Sequence, residues 1–237
     1  ARRELLKIAG ESVPVTIRHN PRARRLIIKV HPTTGEVTVV GPSLRALSHA
    51  LDFARSEADW IARRRKKVPC AVELGLGVTI PFRGDDHLVC PADEGSVPVW
   101  TESVADRRLI RVAGRAEHAA RRLTDFLKKQ AREALSSRTL ELAERIGVRP
   151  SRISVRDTQS RWGSCSTERS LSFSWRLILA PPFVLDYVVA HEVAHLRHMN
   201  HGPRFWKLVC ELAGDPVPAQ AWLGRNGALL HRYAVKK

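Results

Sequence analysis

Cysteine is scarce in this chain and poorly spaced for a structural role. Only Cys70, Cys90, Cys165 and Cys210 occur, with no C-x-x-C pair among them. That excludes a disulfide scaffold or a cysteine-rich zinc site, and reduced thiols in a cytoplasmic protein are the expectation. No long hydrophobic run is present. The most apolar stretch, ILAPPFVLDYVVA (178–190), is broken by two prolines and is too short to span a bilayer, so no membrane partner is expected. The N-terminal ARRELLKIAGESV is basic but has no long apolar stretch, so no secretory signal is expected; the chain opens on alanine, which leaves open a native segment ahead of it. Methionine occurs once, at Met199, and there are no internal repeats or low-complexity linkers.

Acidic residues are also few, 24 against 40 lysines and arginines, for a net charge of +16. The excess is uneven. Residues 1–70 carry 15 basic and 6 acidic side chains, 71–106 carry 1 and 7, 107–150 carry 12 and 5, and 151–237 carry 12 and 6. Such a balance permits nucleic acid, nucleotide or anionic-lipid partners. A solvated arginine-rich surface gives the same totals, and no aromatic-basic nucleic-acid motif accompanies the charge, so charge alone decides nothing. Hydrophobic content of 43% and charged content of 27% are those of an ordinary globular protein able to bury a core.

The β-branched runs VPVTIRHN (13–20), RRLIIKVHP (24–32) and EVTVVG (36–41) predict strands, with PTTGE as a hairpin turn between the last two. Residues 44–67 place Leu44, Leu47, Leu51, Ala54, Ala58 and Ile61 at helical spacing and end on RRRKK, cations suited to a helix C-terminus. Short strands are expected around 78–82, 87–90, 97–100 and 108–114. One long helix over 115–147 follows, with a break near SSRT and a stop at Gly147. SRISVRD (151–157) and SLSFSW (170–175) read as two strands, 181–198 as a helix begun by proline, and 203–214 as a last helix ended by glycine. The fold class is therefore α+β, with a β-rich region of one helix over 1–114 and a helical region carrying the chemistry over 115–237.

That chemistry lies in HEVAHLRHMNH (191–201). His191 and His195 are i and i+4, about 6 Å apart along a helix axis, so both imidazoles can converge on one ion. Glu192 falls beside such an ion, placed to take a proton from the attacking water. A catalytic zinc keeps three protein ligands, and His201 supplies the third if the chain reverses after His195. H-E-x-x-H followed by a third histidine at this spacing arises by chance in about one in a thousand chains of this composition. His198 competes but sits a turn further from His191; Glu211 and Asp215 are weaker alternatives. A structural metal would favour a fourth, cysteine ligand, and none lies at motif spacing.

The histidine spacing equals that of metzincin proteases. However, His198 stands where they carry glycine, and Met199 lies inside the motif rather than in a downstream turn. A closer resemblance is to the YgjP-like metallopeptidase-domain family, relatives of the SprT-like zincins. It rests on SRWGSCS (160–166), LSFSWRLILAPPFVLDYVVAHEVAHLRHMNHGPRFW (171–206), DWIARRRKK (59–67) and VTIPFRG (78–84), with Val193 and Gly202 departing from the pattern. The resemblance implies a minimal zincin-like metallopeptidase core (long helix, β-hairpin or edge strand, HExxH helix, C-terminal helix). It also implies one zinc per chain on His191, His195 and His201, and Glu192 as general base. A peptide or unfolded protein is then the expected substrate. Zinc-dependent hydrolysis of nucleotides or other phosphate compounds, and a nucleic-acid-associated protein whose core acts on bound proteins, are the alternatives. Arg161, Trp162, Arg176 and Tyr187 are candidate substrate or transition-state contacts, with Tyr233 a further candidate by chemistry alone. LSFSW is the expected strand beside the active-site helix, and Gly163 is read as permitting a tight turn.

Overall fold

The computed structural model describes residues 2–31, 34–66, 68, 70–93, 97–158 and 161–234; Pro32 and Thr33 of the expected turn, Ser160 of SRWGSCS and Lys67 of RRRKK lie outside them. The chain forms two compact units, residues 1–71 and 72–237. The expected boundary at 114 falls inside the second unit, because the strands before it share their core with the long helix after it.

The first unit is a four-stranded sheet covered on one face by helices. Its strands are β1 (Arg2–Ile8), β2 (Glu11–His19), β3 (Ile27–Val30) and β4 (Val37–Gly41), in the order β1-β2-β4-β3. Alternation is plain in β4, where Val37 and Val39 are buried and Thr38 and Val40 are not. β1 was not anticipated, although Leu6 and Ile8 alternate inward with Leu5 and Lys7 outward. The expected helix over 44–67 is instead three short ones, α1 (Leu44–Ser48), α2 (Ala50–Ser56) and α3 (Ala58–Lys66). Both breaks follow a serine whose hydroxyl donates to a carbonyl three residues back, Ser48 to Arg45 and Ser56 to Phe53. Such side-chain bonds compete with the helical ladder.

The second unit opens with β5 (Val72–Glu73), then β6 (Thr79–Phe82), β7 (Asp85–Ala92), β8 (Val99–Val104) and β9 (Arg107–Ala113). The last four form a sheet in the order β6-β7-β9-β8. α4 (Ala119–Arg145) runs unbroken through SSRT, where Thr139 is wholly buried on the packed face of the helix and its hydroxyl donates to the Leu135 carbonyl. Leu123, Leu127, Ala131, Leu135 and Leu142 line its buried stripe, each leucine contributing about 2 kcal/mol of apolar burial. The helix stops where expected: Gly147 takes φ +63°, and the N–H groups of Gly147 and Val148 donate to the carbonyls of Glu144 and Ala143.

Beyond α4 come β10 (Arg152–Arg156), β11 (Gly163–Cys165) and β12 (Ser170–Ser174), ordered β10-β12-β11. Then follow α5 (Pro182–Ala194), α6 (Pro203–Ala213), α7 (Val217–Leu230) and β13 (Tyr233–Ala234), which pairs with β5. Neither α7 nor β13 was anticipated. β10 runs parallel to β12, so the two anticipated strands are not a hairpin. Among the described residues no helix is long and apolar enough to cross a membrane.

Candidate metal centre

α5 is buried nearly all round, through Val184, Leu185, Val188, Val189 and Val193, and this fixes the azimuth of the histidines it carries. It ends at Ala194 and does not reach 198 as expected. His195 lies at its last turn, and the N–H groups of Arg197 and His198 both return to the Ala194 carbonyl. The reversal is anchored from outside, by the Arg197 guanidinium donating to the Ile146 carbonyl beyond α4. Gly202 and Pro203 then start α6, so His201 stands on the connection facing back to α5.

The result is one cluster. The ligating nitrogens of His191, His195 and His201 lie within 4.8 Å of one another, with His191 Nε2 and His201 Nε2 3.1 Å apart. Nitrogens bound tetrahedrally to one zinc sit about 3.4 Å apart, so the spacing fits that ion. Orientation fits too. His195 Nδ1 donates to the His198 carbonyl at 3.0 Å, which frees its Nε2 for a metal. His191 Nδ1 is buried, without a hydrogen-bond partner among the described residues. Burial, with the neighbouring His195 and His201, brings His191 down to about 4, and burial also lowers His195. Both rings are thus held in the neutral form that a ligand requires. His198 takes part through its backbone, not its ring. Phe205, which the sequence reading passed over, packs its ring 4.6–4.9 Å from all three imidazoles, and Trp206 lies over His201 at 5.9 Å. The signal for Phe205 was its place on the apolar stripe of α6, four residues past His201.

Glu192 is 6% exposed, and burial pushes its carboxyl up to about 7 against an opposing pull from Arg161. Its neighbour is Gly163. A Cβ built on Gly163 would lie 2.5 Å from Glu192 Cγ and 2.6 Å from Oε1. Gly163 sits in a strand with no positive φ, so it provides room for the carboxylate and not the expected turn. The strand facing α5 is therefore β11 and not LSFSW, which occupies the centre of its sheet as β12. The thiol of Cys165 on β11 is pushed up to about 11 by burial and by Glu192, which keeps it in the protonated form near neutral pH.

The other candidate residues scatter. Tyr187 packs edge-on to His191 at 6.0 Å while its hydroxyl accepts from Gln220, so it buttresses a ligand. Trp162 stacks on His231 at 4.7 Å and packs against Gly227 of α7. Arg176 is buried, bonded to Asp157 and to the Tyr233 carbonyl, and ties the end of β10 to β13. The Tyr233 hydroxyl accepts from Arg232. Arg161 is exposed, within electrostatic reach of Glu192. Glu211 pairs with Lys207, and Asp215 accepts from the Val217 N–H, so neither joins the cluster.

The YgjP-like metallopeptidase-domain family model matches residues 24–226. The chain belongs to that family. Neither the curated proteins nor the solved structures contain a match. At the level of its family the YgjP-like chain is a zinc-dependent metallopeptidase, with a peptide or protein as the class of substrate.

Proposed function

We propose that this YgjP-like chain hydrolyses peptide bonds with one zinc held by His191, His195 and His201 and with Glu192 as general base. The observation that carries the reading is the convergence of three imidazoles beside a buried carboxyl group for which Gly163 leaves room. Zinc held there supplies Lewis acidity, which favours ionisation of water and polarises the scissile carbonyl. Glu192 accepts the proton of the attacking water and then delivers it to the leaving amine. Burial raises the Glu192 carboxyl above the ordinary carboxylate range, which strengthens it as a proton acceptor. Phe205 and Trp206 wall the cluster with rings, which limits water at the reacting centre. β11, at the edge of its sheet and facing α5, is the strand along which an extended substrate pairs by main-chain hydrogen bonds.

Incubation of the zinc-loaded chain with an unfolded protein is expected to give cleavage products. Release of inorganic phosphate from nucleoside triphosphates without any peptide cleavage would replace this reading by phosphate chemistry. Gly163→Ala follows from the same geometry. The added methyl group displaces the Glu192 carboxylate, so kcat is expected to fall about 10²-fold while zinc content and KM stay near wild type. Full activity in that variant would show that Glu192 does not need the position it holds.

A further inference from the structure

The first unit carries a feature that the metal centre does not use. β3 is an edge strand, and beside it, toward α2 and α3, lies a groove of about 640 Å³ lined by Arg25, Leu26, Ile27, Ile28, Phe53, Glu57 and Trp60. The His31 N–H donates to the Glu36 carbonyl at 2.8 Å. Because hydrogen-bonded pairs alternate along an antiparallel ladder, the N–H and C=O groups of Ile28 and Val30 point away from β4, along the open edge. The same two residues turn their side chains to the helical face, where Phe53 and Trp60 are only partly buried. A strand added at this edge would set every second side chain into the groove against Leu26, Ile28, Phe53 and Trp60.

Charge selects the occupant. Arg25 lines the groove, the Arg64 guanidinium lies 5.5 Å from the Trp60 ring centroid, and Arg24 and Lys29 are exposed on the same segment; among the described residues Glu57 is the one acid in the lining. A second copy of β3 would bring the same cations and is repelled. A nucleic acid asks for a row of cations that tracks phosphates, whereas this groove offers apolar walls and a line of main-chain donors and acceptors. We infer that the β3 edge and its groove bind an extended acidic peptide segment, with apolar residues at alternate positions, by strand addition.

The test uses the full chain carrying Glu192→Gln, so that no probe is cleaved, and fluorescence anisotropy of labelled nine-residue peptides. Alternating valine–glutamate is compared with alternating valine–lysine, with a valine–glutamate peptide N-methylated at alternate residues, and with oligothymidylate. The acidic peptide is expected to bind saturably, and the lysine peptide about tenfold more weakly. N-methylation, which removes main-chain donors from the probe alone, is expected to cost about tenfold or more. Arg25→Glu with Arg64→Glu, both at exposed positions, is expected to reverse the charge preference. The inference is overturned if the acidic peptide does not bind saturably, or if its binding ignores either N-methylation or the charge reversal, the latter placing the peptide at another edge such as β11. It is also overturned if oligothymidylate binds more tightly than the peptide and loses that binding on reversal. None of these outcomes depends on whether the metal centre cleaves peptides.

Discussion

Glu192→Gln is expected to keep its zinc and lose about 10³-fold in kcat, the loss that follows removal of a positioned general base. Glutamine has the same shape as glutamate, so the side chain still fills the buried space against Gly163 without a steric cost. It is also uncharged, so no ion is left unsolvated in that space. What it cannot do is accept the proton of the attacking water. Steady-state kinetics on a peptide substrate, with metal content measured on the same preparation, separates this loss from loss of the site. Turnover near wild type in a zinc-loaded Glu192→Gln chain would remove Glu192 from the base role.

His191→Ala is expected to bring activity below detection by a different route, loss of the metal itself. His191 is at the centre of the cluster, with His201 Nε2 at 3.1 Å and the rings of Tyr187, His195, Phe205 and Trp206 around it. Two remaining imidazoles are too few for a catalytic zinc, which keeps three protein ligands. Stability supplies a second readout. An ion bound only by the folded state adds about 4 kcal/mol when free zinc exceeds Kd a thousandfold, so chelation should lower the Tm of wild type by several degrees. The Tm of His191→Ala should ignore the chelator. A chelator-sensitive Tm in that variant would place the metal elsewhere.

The pairing of His191 with His195 was legible in the sequence because i, i+4 spacing on a helix leaves little freedom. Their convergence with His201 was less so. It needs α5 to stop at Ala194, and nothing in AHLRHMN marks a stop; the turn is held by Arg197 reaching the Ile146 carbonyl, a contact 51 residues apart in sequence. Gly163 shows the same limit. Its neighbours suggested a turn, while its reason for being glycine lies across space in Glu192.

Sheet order was the other element hidden from the sequence. GSC is too short for alternation to declare it a strand, yet it forms the edge and leaves LSFSW at the centre, parallel to β10. Arg176 looked available for oxyanion work by its chemistry alone. Burial and its bonds to Asp157 and the Tyr233 carbonyl give it a tie between chain segments instead. By contrast, the stripe and stop of α4 were readable, since local spacing and a glycine with positive φ determine both.

The most direct test of the three-histidine centre is metal content by mass spectrometry on wild type and His201→Ala, each purified without added metal. His201 is exposed, so alanine there opens no core cavity and leaves the fold intact. About one zinc per wild-type chain and almost none in His201→Ala is the expected result. A full zinc complement in His201→Ala would contradict the three-histidine centre.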